Sequence, residues 1–423
     1  MRNSFLASYK CIDNIYRKKS FSGQELNEFL QNLSPEEKPL TSKLVYGVVD
    51  KNIKLSYIIK SFAKSVKPSL LSVLQMGVYC FLYLSIPAPV VVNECVELTK
   101  KLGKGGMSGF VNATLKNISN AVKQNDIKYP ENRREFLSVY YSFPLWVVDM
   151  ISEDYTQEFA EKILAHDDEN NFTHVRVNTQ NISVAEFEKL LEEKGIFHQK
   201  TLDDAFYTDG KVFRLDTKLF TPQSLSSMYV CKAVAAKGKK VLDVCAAPGG
   251  KSVYLAQMGN QVTSCDVHLH RTKLIEKYAK RMGADLSVCV NDATVFNKSF
   301  KNAFDVVLCD VPCSGFGVLS SKPDVKLFKT KQDIFELSKI QSKILKVSSE
   351  YVKEGGTLVY STCTIFKKEN DFVVNEFLKN NPDFQVDEIK LDFPKTKEGY
   401  IQFLPFRDKT DGFFIARLKR KNV

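Results

Sequence analysis

The chain has 423 residues, of which 44% are hydrophobic and 26% are charged, values typical of globular proteins. This composition excludes a wholly disordered chain. The apolar runs fall short of the ~20 residues that cross a bilayer, and the start does not resemble a signal peptide. We therefore expect a cytoplasmic protein without a membrane segment. The ten cysteines form no Cys-x-x-Cys pair, so we expect reduced thiols and no metal site.

The net charge of +11 is unevenly distributed along the chain. Residues 1–125 hold 17 Lys and Arg against 8 Asp and Glu, residues 126–210 hold 8 against 18, and residues 211–423 hold 35 against 23. Two basic segments around an acidic one predict three domains with boundaries at 125 and 210. Basic surfaces attract polyanions, so nucleic acid is a candidate partner, although solvated lysines explain the charge equally well.

The first segment, residues 1–125, has the pattern of an all-α bundle. Ser34-Pro35-Glu36-Glu37 predicts a helix start, with Ser34 as the cap, Pro35 in the first helical position and Glu37 completing a capping box. Apolar residues then recur at helical spacing. Further helices are predicted over residues 70–84, 90–102 and 110–118.

The middle segment, residues 126–210, is predicted to hold a connector and a small α/β subdomain. Pro130 and Pro144 indicate the connector. Residues 173–177 suit a strand, and residues 184–191 suit an amphipathic helix. The acidic charge of this segment suits RNA poorly, so the two flanking segments should dominate any RNA contact.

From about residue 237 the pattern becomes strand, turn, helix. Near-continuous apolar strands that alternate with helices indicate a buried parallel sheet in a Rossmann-like α/β domain. In such sheets ligands bind at the carboxyl ends of the strands. Five strands are predicted, over residues 240–244, 261–265, 286–290, 304–309 and 357–361.

The first of these strands runs into a loop of small residues before a helix, which brings backbone amides close to a ligand. Three nucleotide cofactors compete for this loop. A P-loop fails because Cys245 stands where a glycine is essential, and the Gly-x-Gly-x-x-Gly of a dinucleotide site is absent. S-adenosylmethionine remains, because its amino-acid moiety needs a small-residue loop and its ribose needs a carboxylate. The predicted loop contacts are Cys245, Ala246, Ala247, Pro248, Gly249, Gly250 and Lys251.

Acids end four successive strands, at Asp243, Asp266, Asp292 and Asp310. Asp266 is placed to accept both ribose hydroxyls, and Asn291 with Asp292 suits the adenine amino group. A single acid at a strand end often caps the next helix, but capping does not explain four in succession. The pattern therefore favours an S-adenosylmethionine site.

Cys313 and Cys363 follow two strands that we expect to be neighbours, so they should meet Asp310 beside the methyl group of the cofactor. Carbon 5 of cytosine is a poor nucleophile until a thiolate attacks carbon 6. An acid near ring nitrogen 3 stabilises the developing charge, and a base must later remove the carbon 5 proton. A disulfide or metal pair is the structural alternative. Six other cysteines, Cys265 and Cys289 among them, are expected to be inert packing residues.

These motifs resemble those of the RNA 5-methylcytosine methyltransferases of the NOL1/NOP2/Sun class. The catalytic-domain motifs are Cys245-Ala-Ala-Pro-Gly-Gly-Lys251, Asp310-Val-Pro-Cys-Ser-Gly-Phe-Gly317, Ser361-Thr-Cys-Thr364 and Asp411-Gly-Phe-Phe-Ile-Ala-Arg417. Arg176-Val-Asn178 resembles a motif of the family's small subdomain. The motifs of the first segment resemble a NusB-like RNA-binding domain, namely Leu44-Val-Tyr-Gly-Val48, Ile86-Pro-Ala-Pro-Val-Val-Val-Asn-Glu94 and Gly109-Phe-Val-Asn-Ala113.

The resemblance implies S-adenosylmethionine as cofactor and 16S rRNA as partner, because a NusB-like fusion is typical of members that methylate small-subunit rRNA, usually at cytosine 967. It makes Cys363 the nucleophile, Cys313 the cysteine that assists product release, and Asp310 the acid facing the target base. It implies that Lys251 holds Asp310 in place, and we expect a monomer. The implied cofactor contacts are the 245–251 loop, Asp266, Asp292 and Asp310.

Two positions depart from the family pattern. Thr364 stands where serine is usual, and both carry a hydroxyl; Ser320-Ser321-Lys322-Pro323 is less basic than usual, which weakens the case for RNA contact there. Three alternatives stay open. They are a transfer RNA or large-subunit rRNA substrate, a non-catalytic RNA-binding or ribosome-assembly factor, and a nucleotide-hydrolysing enzyme.

Overall fold

The computed structural model describes residues 2–165 and 172–422. The chain forms two compact units, one of residues 1–166 with 319–331 and one of residues 167–318 with 332–423. The predicted boundaries at 125 and 210 stay a prediction, because compact units do not mark functional domains. Within the described residues, no helix combines the length and the apolar character needed to cross a membrane.

The first unit is helical, as predicted. The helices predicted over 70–84, 90–102 and 110–118 are present, and the first of them, Pro68–Tyr83, buries nine of its 16 residues. The helices are α1 (Arg2–Lys18), α2 (Ser22–Leu30), α3 (Glu37–Asp50), α4 (Asn52–Phe62), α5 (Pro68–Tyr83), α6 (Ala88–Lys101), α7 (Ser108–Lys123), α8 (Arg133–Tyr141), α9 (Leu145–Asp154) and α10 (Gln157–Ala165).

Two local predictions in this unit differ from the structure. The third helix begins at Glu37 rather than Pro35, and only half of the capping box forms, since Glu37 accepts a hydrogen bond from the Ser34 amide at 3.2 Å. The predicted connector contains helices. The Asn132 side chain caps α8 by accepting from an amide, and Pro144 occupies the N-cap of α9. Pro130 therefore lies two residues before the N-cap of α8, and Pro144 is itself the N-cap of α9.

The small sheet of the second unit has strand order β2-β3-β1-β4, with every pairing antiparallel. Ser183 and Glu186 form a complete capping box at the start of its helix, α11. The strand and helix predicted here are therefore confirmed. The elements are β1 (Phe172–Val177), α11 (Val184–Glu193), β2 (His198–Leu202), β3 (Ala205–Asp209) and β4 (Phe220–Pro222).

The large sheet has strand order β10-β12-β9-β8-β5-β6-β7, with β11 paired to β12. All five predicted strands exist, as β5 to β9, and they pair in parallel. The strands are β5 (Lys240–Asp243), β6 (Gln261–Asp266), β7 (Ser287–Val290), β8 (Phe304–Asp310), β9 (Val352–Thr362), β10 (Phe384–Val386), β11 (Ile401–Phe403) and β12 (Phe413–Arg420).

An α-helix follows each of β5, β6 and β8, and a short 3-10 turn, Lys298–Phe300, follows β7; this arrangement confirms the Rossmann-like α/β prediction. Beyond β9 the sheet continues in three antiparallel strands, and β12 contains residues 413–417 of the Asp411-to-Arg417 motif, which resembles the family's final strand. The remaining helices are α12 (Leu225–Val234), α13 (Gly250–Gln257), α14 (Leu269–Met282), α15 (Val325–Phe328), α16 (Lys331–Ser349), α17 (Asp371–Asn380) and α18 (Pro405–Asp408).

Helix α15 lies in the 319–331 segment, which packs within the first unit. Asp324 accepts a hydrogen bond from the Ser22 amide at 3.1 Å, and buried Lys326 pairs with Asp50 at 2.5 Å. Burial alone would raise the pKa of Asp50, but the ammonium groups of Lys326 and Lys51 outweigh it and lower that pKa. These polar contacts hold residues 319–331 in place within the first unit.

Candidate active site

The cofactor loop connects β5 to α13 through small residues. The Val244 amide donates to the Leu308 carbonyl at 3.1 Å, and the Ala246 amide donates to the Cys265 carbonyl at 2.8 Å, so the loop is tied to both neighbouring strands. Gly249 has φ +108°, and a Cβ there would lie 3.3 Å from the Ile275 backbone. A glycine is therefore required immediately before the first turn of α13, where the backbone N–H groups of a helix favour an anionic group.

Asp243, at the end of β5, is buried. Its Oδ2 accepts from the Ser252 hydroxyl at 2.7 Å, while its Oδ1 finds no hydrogen-bond partner among the described residues. Burial raises the pKa of Asp243 to about 7. Asn291, after β7, likewise has a buried Nδ2 without a partner in the described part of the chain. Unpaired buried polar atoms at two strand ends fit a polar cofactor, since such atoms are rarely left unsatisfied.

Asp266 and Asp292 end the two strands beyond β5. Asp266 is 3% exposed, accepts the His268 amide at 3.1 Å and pairs with Arg271 at 3.2 Å. Asp292 accepts the amide and the hydroxyl of Thr294, both at 2.8 Å, and these bonds lower its pKa. The structure therefore brings Asp243, Asp266 and Asp292 to one edge of the sheet, as the sequence predicts.

Asp310 connects the cofactor loop to the catalytic turns. The Lys251 ammonium donates to its Oδ2 and the Ser361 hydroxyl donates to its Oδ1, each at 2.7 Å. Burial disfavours the charged form of Lys251, but Asp310 outweighs this effect and raises the pKa of Lys251. In register, Asp310 lies opposite Ser361 on the parallel strand β9. The carboxylate is thus held by two donors at the end of β8.

Cys313 and Cys363 lie in the turns that follow β8 and β9. Their sulfur atoms are 3.1 Å apart, and the Cys363 amide donates to the Cys313 sulfur at 3.2 Å. Both residues are half-buried. The hydrogen bond to Cys363, then burial and the negative charge of Glu369, raise the pKa of the Cys313 thiol. The structure brings the two predicted thiols together beside the strand end that carries Asp310.

Gly317 allows the two turns to approach. Its amide donates to the Cys363 carbonyl at 3.0 Å, and its carbonyl accepts from the Gly412 amide at 2.8 Å. A Cβ at Gly317 would lie 1.9 Å from the Gly412 carbonyl oxygen and 2.9 Å from that of Cys363. No side chain fits there without moving a turn that carries a cysteine.

Two sets of residues near the site were not predicted. Cys265 and Cys289, expected to be inert, are register partners on β6 and β7 with sulfur atoms 2.8 Å apart. The hydrogen bond from Cys265 lowers the pKa of Cys289 to about 7. The second set surrounds Glu369, a buried acid bonded to Ser314. The one sequence signal for the cysteine pair is that Cys265 and Cys289 are each the next-to-last residue of neighbouring strands. No neighbouring residue in the sequence indicates the role of Glu369.

Among the described residues, no group of three or more His, Cys, Asp or Glu side chains is arranged to hold a metal ion. The predicted cofactor-loop residues run from the end of β5 into the first turn of α13. The arrangement as a whole offers two adjacent thiols, a carboxylate held by a lysine, and a polar cofactor cleft. These residues can support nucleophilic attack by a cysteine sulfur next to a bound cofactor that donates a chemical group.

Family models match all three parts of the chain. The model for the 16S rRNA methyltransferase RsmB/F matches residues 233–419, the NusB family model matches residues 5–120, and the ferredoxin-like domain of RsmF/B-like methyltransferases matches residues 143–211. A probable ribosomal RNA small subunit methyltransferase B of Bacillus subtilis (strain 168) is 36% identical, over 92% of this chain and 92% of its own. A ribosomal RNA small subunit methyltransferase B of Photorhabdus laumondii is 28% identical, over 97% of this chain and 100% of its own.

Solved structures share the fold. PH0851 superposes with a TM-score of 0.84 at 22% identity, over 99% of each chain. A methyltransferase homolog from Pyrococcus horikoshii gives a TM-score of 0.60 at 26% identity, over 69% of this chain and 100% of its own. The first of these likenesses extends through the helical unit as well as the sheet domain.

Proposed function

The chain belongs to the 16S rRNA methyltransferase RsmB/F family, and from this premise we propose that it methylates carbon 5 of a cytosine in 16S rRNA. The family is S-adenosylmethionine-dependent, so the chain is a methyltransferase with that cofactor, as its loop predicts. Cytosine 967, the family's usual site, is the proposed target. We further propose a cytoplasmic monomer whose functional domains are residues 1–125, 126–210 and 211–423.

One observation carries the proposed chemistry, namely the 3.1 Å contact between the sulfur atoms of Cys313 and Cys363 beside Asp310. Binding RNA alone needs neither thiol, and a hydrolase needs a P-loop that the chain lacks. A cytosine carbon 5 methyltransferase needs both a nucleophile for carbon 6 and a group that helps to release it. The paired thiols meet that requirement.

The proposed cofactor contacts divide the cleft into three parts. The loop from Cys245 to Lys251 would hold the amino-acid moiety, Asp266 would accept the ribose hydroxyls, and Asn291 with Asp292 would face the adenine. When bound, S-adenosylmethionine supplies the methyl group to carbon 5. The unpaired Oδ1 of Asp243 and Nδ2 of Asn291 support this assignment, because a polar ligand would satisfy them.

The proposed covalent path begins with Cys363. Its thiolate attacks carbon 6 of the cytosine, and the ring becomes nucleophilic at carbon 5. A proton taken up at ring nitrogen 3 balances the added electron pair and is lost again after methylation. The Asp310 carboxylate, which Lys251 fixes in place, accepts a hydrogen bond from that N–H. After methylation, the carbon 5 proton is lost and Cys363 leaves with the help of Cys313. The target base must leave its stack to meet the thiolate.

A labelling experiment tests this function. The protein is mixed with methyl-labelled S-adenosylmethionine and unmodified 16S rRNA, and the digested nucleosides are separated. We expect label in 5-methylcytidine at one site. Transfer RNA and large-subunit rRNA are tested alongside. Label in either of them would mean that the proposed reaction is correct but that the substrate is that RNA and not 16S rRNA. RNA binding without label in any RNA would favour a non-catalytic factor.

A further inference from the structure

Glu369 is a fully buried carboxylate between the two cysteine turns. Its Oε1 accepts from the Ser314 amide and from the Gln341 side chain, both at 2.9 Å, and its Oε2 accepts from the Ser314 hydroxyl at 2.5 Å. Ser314 directly follows Cys313 in the chain. The carboxylate therefore binds the turn that carries one of the two thiols.

The same contacts extend to both sides of Cys313 and to the other turn. Gln341 also donates to the carbonyl of Pro312 at 2.9 Å, which precedes Cys313. The Ser314 hydroxyl lies 2.9 Å from that of Thr364, the residue after Cys363. Glu369 thus fixes the residues that flank Cys313 and connects them to the neighbouring turn.

The donors to Glu369 are neutral, and within the described part of the chain no Lys or Arg forms an ion pair with it. Burial raises the pKa of Glu369, and the hydrogen bonds from Ser314, Gln341 and Thr364 oppose that rise. A buried carboxylate without a counter-ion is costly in stability, whereas a neutral amide of the same shape is less so. Stability therefore does not explain why an acid, rather than glutamine, stands here.

We propose that Glu369 is a positioning residue whose negative charge decides which of the two adjacent thiols becomes the thiolate, an inference that rests on the proposed role of Cys363. The negative charges that act on Cys313 are those of the Cys363 thiolate and of Glu369, whose carboxylate is bonded to the next residue, Ser314. A negative charge on Glu369 disfavours a second one on Cys313. Cys313 keeps its proton and donates its S–H hydrogen bond to the Cys363 sulfur, 3.1 Å away.

The assignment gives each thiol a definite part in the reaction. The Cys363 proton passes to solvent, and the thiolate electron pair forms the bond to carbon 6. Later the carbon 5 proton is lost to solvent, the ring double bond reforms, and the sulfur–carbon bond breaks with its electrons returning to Cys363. Cys313 gains and loses no proton overall, and its S–H stabilises the attacking and the departing thiolate.

Residue-resolved alkylation tests the proposal without requiring turnover. The full-length protein is treated briefly with iodoacetamide near neutral pH, and mass spectrometry gives the alkylation ratio of Cys363 to Cys313. We expect Cys363 to react faster in the native protein. Glu369→Gln should reduce that ratio about tenfold, which corresponds to one unit of thiol pKa. Its melting temperature should equal or exceed that of the native protein, because a buried charge has been removed.

Two further variants separate charge from shape. Glu369→Asp keeps the charge and should retain most of the native ratio, while Asp371→Asn removes a charge two residues along and should leave the ratio unchanged. An unchanged ratio in folded Glu369→Gln, or equal losses in the Gln and Asp variants, overturns the proposal. If the ratio shifts as expected but the native protein labels no RNA, the proposed function fails, and only the assignment of the thiolate to Cys363 stands.

Discussion

Lys251 and Asp310 join the cofactor loop to the end of β8 through a hydrogen-bonded ion pair of 2.7 Å. Lys251 lies in the first turn of α13, and Asp310 precedes the turn that carries Cys313. The contact therefore connects the proposed cofactor loop to the proposed catalytic residues. Ser361 occupies the second carboxylate oxygen. The acid that is proposed to face the target base therefore has a fixed orientation before any ligand arrives.

Lys251→Met is expected to slow methyl transfer by ~10²-fold or more, the scale of losing a positioned acid–base group. The half-buried Asp310 carboxylate would lose its cation and move or take up a proton. Labelled methyl transfer to 16S rRNA measures the effect. Lys353→Met is the matched control, because it breaks a 2.8 Å pair with Asp305 at the opposite end of β8. Equal activity losses in both variants would contradict the positioning role.

Cys363→Ala is expected to abolish turnover, and Cys313→Ala is expected to leave a covalent protein–RNA adduct. Attack needs only the first thiol, whereas release needs the second to stabilise the departing sulfur. A denaturing gel shows the adduct as a shifted band. Cys80→Ala, which removes a thiol from α5 of the first unit, should behave like the native protein. A Cys313→Ala protein without any shifted band would contradict the assignment.

Gly317→Ala is expected to lower the free energy of unfolding by ~1–3 kcal/mol, the usual cost of overpacking, and to abolish methyl transfer. Its Cβ would lie 1.9 Å from the Gly412 carbonyl oxygen, so one of the turns must move. Chemical denaturation and the labelling assay measure the two effects. Gly210→Ala, where a Cβ meets nothing within 4 Å, is the control. Native activity in Gly317→Ala would show that the turns are not held at this distance.

The parts of the site that follow from strand periodicity could be predicted, and those that depend on distant packing could not. The positions of Asp243, Asp266 and Asp310 at the carboxyl ends of parallel strands could be predicted, because buried strands are recognisable in the sequence as apolar runs. Glu369 could not be found in this way, since its partners Ser314 and Gln341 are 55 and 28 residues away. Its burial is decided by how α16 and the two turns pack.

The fold shows the same division. The helices α5 to α7 were predicted from 3.6-residue periodicity, which is local information. Pro130 and Pro144 predict a connector, yet α8 and α9 begin soon after them, because a proline just before a helix looks the same in the sequence as a proline in a loop. The antiparallel pairing of β12 with β9 depends on residues more than 50 positions apart, and no pattern within either strand specifies direction.

Asp243 is expected to make the stability of the cofactor-free protein depend on pH. Burial raises its pKa from 3.8 to about 7 in the folded state. Between these values the folded protein holds a proton that the unfolded chain has released, so stability falls as the pH rises from ~4 to ~7 and is then constant. Asp243→Asn should remove this loss. The measurement is the melting temperature of both proteins across that pH range. The same pH dependence in both would contradict the raised pKa of Asp243 in the folded protein.

Cys289 is expected to react with iodoacetamide at a rate that reaches half its maximum near pH 7. The hydrogen bond from Cys265 lowers the pKa of Cys289 to about 7, and the residue is half-buried rather than enclosed. Cys265→Ala removes the donor, so the midpoint should rise toward the ordinary thiol value of ~8.5. Peptide mass spectrometry over pH 6–9, a range that brackets both midpoints, distinguishes Cys289 from the catalytic thiols. Ser287→Ala on the same strand is the control. A midpoint that Cys265→Ala leaves in place would mean that the paired sulfur does not stabilise the thiolate.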